Sequence, residues 1–153
     1  GLVLGVRSAE GGGGPGGGEG GLAWEAYTPE TLAAVRAQGR PVFIDFTAAW
    51  CLTCQVNERV ALASTEVQDR FRREGVVLLR ADWTRSNGDI TAALASYGRQ
   101  GVPLYVLYPR DPGRVPRVLP EVITPGIVLA ALDDALGDGR TARGLTTAIT
   151  SPQ

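Results

Sequence analysis

The only two cysteines of the 153-residue chain, Cys51 and Cys54, stand two residues apart in the stretch FTAAWCLTCQVNE (46–58). Paired thiols at this spacing serve as a metal clip, a structural cross-link or a redox couple. A structural zinc site wants four Cys or His ligands. The chain has no histidine and no third cysteine, so zinc would need carboxylates or a second chain. Two soft thiolates can hold Cu(I), and that reading stays open. As a purely structural cross-link the pair is poorly motivated, because closing so short a loop restricts the unfolded chain little. A redox couple asks for least. A Cys51 thiolate attacks a partner disulfide and forms a mixed disulfide. Cys54 then resolves it, leaving the partner reduced and Cys51–Cys54 oxidised. No cofactor takes part and no metal is assigned; the chemistry needs only a group to manage protons.

The elements around the pair suit that work. PVFIDF (41–46) reads as a short apolar strand leading to Trp50 and Cys51, where the helix CLTCQVNERVAL (51–62) begins. Free N–H groups and the dipole at a helix start favour a thiolate there. Cys54 lies one turn on, on the same face, and Cys51 is expected to be the exposed sulfur. Asp45 is a charge inside a strand with apolar neighbours on both sides, costly without a role or a partner. One reading makes it a desolvated carboxylate that exchanges the proton as Cys54 reacts; the other has it cap a turn or pair with an arginine. Glu58, four residues after Cys54, opposes thiolate formation if it faces the thiols. Otherwise it lies on a solvated helix face beside Arg59. Pro103 opens the strand VPLYVLY (102–108), where it cannot donate a ladder bond.

The remaining pattern alternates. TPETLAAVRAQG reads as a helix with Thr28 as N-cap, Pro29 at its first position and Gly39 as its stop. Ser64 caps a helix running to Gly75, VVLLRADW (76–83) is a strand, and ITAALASYG is a helix ending at Gly98. A turn at Pro112-Gly113 leads to VPRVLP (115–120), a proline-bearing edge strand. TPGIVLAALDDAL closes the fold as a helix capped by Thr124, with Ile127, Leu129, Ala130 and Leu132 on its apolar side. The order α-β-α-α-β-α-β-β-α predicts an α/β fold: a mixed sheet of four strands, the first two parallel and the last two antiparallel, between helical layers.

Composition narrows the classes. Net charge is −1 and all fifteen basic residues are arginine, with no basic block to mark a nucleic-acid partner. Lack of histidine excludes histidine acid–base catalysis and Cys-His nucleophile pairs. Residues 8–21, SAEGGGGPGGGEGG, read as a flexible tether. The opening GLVLGV is far short of the roughly 20 apolar residues that span a bilayer. It reads as the end of a transmembrane helix or as linker, and the start at Gly1 without methionine suggests a piece of a longer protein. The expected organisation is a stub and linker over 1–21, a folded domain over 22–137 and a flexible tail over 138–153.

The string PVFIDFTAAWCLTC, the aspartate six residues before Cys51 and the GVP before a strand resemble the thioredoxin superfamily over about residues 22–137. FTAAWCLTCQVNE, RADWT with DIT, and YGRQGVPLYVLY are more specifically similar to the C-terminal periplasmic domain of DsbD-type transmembrane thiol reductases, including the ScsB branch. The resemblance implies a thioredoxin-like fold in which Cys51 attacks and Cys54 resolves. It implies that Asp45 and Glu58 are the acidic residues that keep the first cysteine's pKa high, and that Pro103 is a cis-proline. Trp50, Leu52, Val102 and Pro103 would form an apolar docking rim. It also implies a reductant that relays electrons from a membrane-embedded domain to periplasmic proteins or to other domains of its own chain, as a monomeric domain tethered to the inner membrane. An oxidase or isomerase on the same fold and a Cu(I)-binding module are the alternatives. Two departures stand out. Leu52-Thr53 replaces the Gly-Pro of cytoplasmic thioredoxins, and Ala49 stands where many relatives carry an acid before the tryptophan.

Overall fold

The computed structural model describes residues 22–137, so the expectations for 1–21 and 138–153 lie outside the described residues. Among the described residues no helix is long and apolar enough to cross a membrane. Five strands, β1 (Trp24–Ala26), β2 (Val42–Thr47), β3 (Val77–Asp82), β4 (Leu104–Tyr108) and β5 (Arg117–Val118), form one sheet in the order β1-β3-β2-β4-β5. β1 and β2 run parallel to β3, while β4 runs antiparallel to both β2 and β5. The mixed sheet is as expected, but it has five strands rather than four. The missed strand is the three-residue WEA, held on one side only by β3 and too short for alternation to reveal. The expected strand 115–120 contracts to Arg117–Val118, since Pro116 and Pro120 on either side cannot donate to a ladder.

Helices α1 (Pro29–Ala37), α2 (Leu52–Asn57), α3 (Thr65–Glu74), α4 (Gly88–Ser96) and α5 (Pro125–Leu136) cover the two faces. Thr28, Ser64 and Thr124 accept the N–H three residues on, so the expected caps are in place. Gly75 adopts the left-handed φ of 67° that stops α3. The single helix expected over 51–62 divides. After Asn57 the chain widens into a π-helical turn (Glu58–Leu62), in which the Ala63 N–H bonds back to the Glu58 carbonyl at 2.8 Å. In α5 the buried face is Val128, Ala131, Leu132, Ala135 and Leu136. Of the four residues expected there only Leu132 is fully buried, because the true stripe follows the i, i+3, i+4, i+7 rule.

Alternation along β2 sets up the site. Val42, Ile44 and Phe46 face the layer that contains Val35, Ile90 and Leu94. Phe43 points to the other layer, with Leu78, Tyr105 and Leu107, against Leu62, Phe71 and Leu132. Asp45 follows Phe43 by two residues and shares its face. It stands in register with Arg80 on β3 and Tyr105 on β4. One polar row therefore crosses three strands beneath the layer that carries α2.

Candidate active site

β2 ends at Thr47, and the chain turns at Ala48 to present Cys51 as the N-cap of α2. The Cys51 N–H donates to the Ala48 carbonyl at 3.1 Å. The Cys51 Sγ accepts the Cys54 N–H, also at 3.1 Å, so sulfur takes the capping place that a serine or aspartate oxygen usually fills. Cys51 and Cys54 are joined as a disulfide with their Cα atoms 5.3 Å apart. Both cysteines are nearly covered: Cys51 is 6% exposed and Cys54 2%. The expectation of an open Cys51 is corrected to that extent, because the pair packs with Ala48 and half-buried Val102. Among the described residues no three His, Cys, Asp or Glu side chains cluster as a metal site would require.

The apolar surroundings divide into exposed and inner parts. Trp50 is 57% exposed and Leu52 75%. Trp50 is nonetheless fixed: its indole N–H donates to the Thr84 carbonyl at 3.1 Å and its ring lies 6.0 Å from that of Trp83. Thr84 also accepts the Ala49 N–H on its hydroxyl at 2.8 Å, tying the loop after β3 to the loop before Cys51. The Val102–Pro103 bond is cis, as the resemblance implies. Pro103 itself is buried, so Val102 is the part of that corner nearer the surface.

The acidic pair meets on one guanidinium. Asp45 is 2% exposed, and the Arg80 Nε approaches its Oδ2 at 3.6 Å. Glu58 is half-buried and receives the Arg80 Nη2 at 2.6 Å. It thus pairs with Arg80 across the fold rather than lying solvated beside Arg59. The guanidinium also rests 4.4 Å over the Trp24 ring. For Asp45, pairing with an arginine is the alternative reading realised, and it does not remove the carboxylate from beneath the active helix.

Below Cys54, fully buried Asn57 ties the helix to the fold. Its amide donates to the Tyr105 hydroxyl at 2.9 Å and to the Glu121 carbonyl at 2.7 Å, and its Oδ1 accepts the Ile123 N–H at 3.1 Å. Burial raises the Tyr105 hydroxyl pKa, and the negative charge of Asp45 raises it further. Sequence reasoning singled out neither Asn57 nor Arg80. The signal for Arg80 was the one that found Asp45, a charge inside an apolar strand. For Asn57 it was an amide on the inward helix line Cys54–Asn57–Ala61. Thr84 closes the string RADWT that carries part of the resemblance, but its bonds to Ala49 and Trp50 are not written there.

Comparison with known proteins agrees with this geometry. A family model described as thioredoxin-like matches residues 23–110. A thiol:disulfide interchange protein DsbD of Ralstonia nicotianae is 34% identical over 108 residues, covering 71% of this chain and 17% of that protein. A DsbD protein of Pseudomonas aeruginosa is 36% identical over 87 residues, covering 57% and 14%. The chain therefore spans less than a fifth of these relatives. Among solved structures, the oxidised C-terminal domain of Neisseria meningitidis DsbD superposes with a TM-score of 0.58 at 23% identity, over 74% of this chain and 99% of that one. A thioredoxin from Thermus thermophilus gives 0.59 at 22% identity, over 79% and 91%.

Proposed function

This chain belongs to the thioredoxin-like family, and from that premise we propose that it is a protein-disulfide reductase domain. It would relay electrons from a membrane-embedded domain to cysteine pairs of periplasmic proteins or of other domains in its own polypeptide. The observation that carries the reading is the Cys51–Cys54 disulfide at the start of α2, with the Cys51 sulfur in the N-cap position. On reduction two electrons enter the S–S bond and two thiols result. The Cys51 thiolate is then favoured by the α2 N–H groups, most directly that of Cys54. It attacks one sulfur of the partner disulfide and expels the other as a thiolate, which takes up a proton. Cys54 loses its proton and attacks the Cys51 sulfur of the mixed disulfide, so the second partner sulfur leaves and Cys51–Cys54 re-forms.

The docking surface in this reading is the exposed Trp50 and Leu52 with the Val102–Pro103 corner. It is small, as suits a contact that must release each partner. The relatives' name, thiol:disulfide interchange protein, supports the exchange chemistry, and the same reading sets the domain at the periplasmic face of the inner membrane, with residues 8–21 as the tether. Cys54→Ser tests the assignment of roles. The variant should accumulate a mixed disulfide through Cys51 with a protein disulfide, seen by mass spectrometry, while Cys51→Ser accumulates none. Adducts through Cys54, or none at all, would overturn it.

A further inference from the structure

Trp50 stands beside the dithiol with 57% of its surface exposed, so packing alone does little to fix its indole. The disulfide cannot fix it either, since in the proposed cycle that bond opens at every turnover. Hydrogen bonds from two other side chains do so. Ala49 is gripped at both ends: its N–H donates to the Thr84 hydroxyl at 2.8 Å, and its carbonyl accepts the Gln55 side-chain amide at 2.7 Å. The Thr84 hydroxyl is oriented in turn by Asp82, whose carboxylate accepts both that hydroxyl and the Thr84 N–H. The hydroxyl has one proton, and with it given to Asp82 a lone pair is left for Ala49. The same bond holds the Asp82 carboxyl below its ordinary range, so the acceptor is charged at neutral pH. Trp50 itself donates to the Thr84 carbonyl, and its ring meets Trp83, whose own indole N–H is tied to Thr91 of α4 at 2.8 Å.

We propose that Thr84 and Gln55 are positioning residues of the docking surface: gripping Ala49 from both sides, they hold Trp50 in its docking orientation before a partner arrives. The inference rests on the reading of the rim around Cys51 as the place where disulfide partners dock. Each of these side-chain bonds lies at the surface, where water competes and a single bond adds little to stability. Stability therefore gives no reason for them to converge on two successive residues, Ala49 and Trp50. Docking gives one. A side chain left to rotate must be ordered when a partner binds, and that ordering subtracts from affinity. An indole already fixed in the free domain avoids the loss. The exchange steps use neither Thr84 nor Gln55, so their effect falls on the binding of protein partners rather than on the chemistry of the sulfurs.

The test pairs NMR of the Ala49 amide and the Trp50 indole N–H with steady-state reduction of insulin, a protein disulfide substrate, in Thr84→Val, Gln55→Met and Thr84→Ser. In Thr84→Val the Ala49 amide should exchange with solvent about tenfold faster than in the wild type, and the KM for insulin should rise about three- to tenfold, the loss expected for one ordinary hydrogen bond. The kcat should stay within about twofold. Relaxation of the Trp50 indole should show fast motion that the wild type lacks. Gln55→Met should act in the same direction, and its exposed site lets it decide the matter if Thr84→Val does not fold. Thr84→Ser keeps the hydroxyl and should restore the wild-type values. An Ala49 amide and Trp50 indole unaffected by the variants would overturn the proposal, as would an unchanged KM with Trp50 freed, or a loss in kcat alone. If the wild-type protein does not reduce insulin, the reductase reading fails, while exchange at Ala49 and motion of Trp50 still decide whether Thr84 and Gln55 hold the indole.

Discussion

Asn57→Ala should weaken the domain far more than its position beside an exposed helix face suggests. The side chain is fully buried and serves three groups: the Tyr105 hydroxyl, the Glu121 carbonyl and the Ile123 N–H. Glu121 is exposed, and its carbonyl can turn to water at little cost. Tyr105 and Ile123 are 1% exposed and cannot. A buried polar group that loses its partner costs about 2 kcal/mol, so the two together cost about 4 kcal/mol. Alanine is the better helix former by about 0.6 kcal/mol, which leaves a net loss of about 3 kcal/mol. Equilibrium urea unfolding of the oxidised protein measures it, with an unchanged slope expected because the same surface is exposed. Tyr105→Phe supplies the second arm of a double-mutant cycle. A coupling of about 1 kcal/mol is expected, since the two side chains share a hydrogen bond. A loss below about 1 kcal/mol for Asn57→Ala, or no coupling, would refute the view that this amide clamps the active helix to β4 and the Glu121–Ile123 segment.

Two further outcomes can be checked. Leu52→Ala should leave stability nearly unchanged, because the side chain is 75% exposed, yet raise the KM for a protein disulfide roughly tenfold, as expected from about 1.5 kcal/mol of lost apolar burial. Exchange with dithiothreitol should be unaffected, and equal losses with both substrates would place Leu52 outside the docking surface. Burial holds the Tyr97 hydroxyl above its ordinary range, as does its hydrogen bond to Tyr108, and Tyr105 is raised likewise. The folded state therefore keeps protons that the unfolded chain gives up near about pH 10. Their contribution is complete below that pH and is lost as pH rises above it towards the folded values. Urea midpoints should fall between about pH 8 and about pH 11, less so in Tyr97→Phe; equal midpoints would contradict the burial argument.

The reach of the sequence follows from how local each feature is. Caps at Thr28, Ser64 and Thr124 are written in three or four consecutive residues and were legible, as were the alternating strands and helices around the cysteines. Asp45 was conspicuous because a charge inside PVFIDF conflicts with its neighbours. Its partner was not legible, since the pairing of Asp45 with Arg80 depends on the register of β2 against β3. The clamp at Asn57 likewise joins residues more than forty positions apart, 57 to 105 and 57 to 123. The π-helical turn after Asn57 reflects competing demands on one helix. Glu58 must reach Arg80 while Ala61 and Leu62 stay in the core, and no periodicity announces that. β1 escaped notice because its three residues gain their strand character almost wholly from β3.

The central claim is that Cys51–Cys54 supplies electrons, and its equilibrium reduction potential tests this most directly. Thiol trapping in a graded series of glutathione or dithiothreitol buffers gives the value. Thioredoxin lies near about −270 mV and the oxidant DsbA near about −120 mV, with about 30 mV equal to 1.4 kcal/mol for a two-electron couple. The account predicts a value below roughly −200 mV, low enough to reduce disulfides of partners in an oxidising compartment. A value close to that of DsbA would mean that the domain takes electrons from its partners, and the proposed direction of transfer would be wrong.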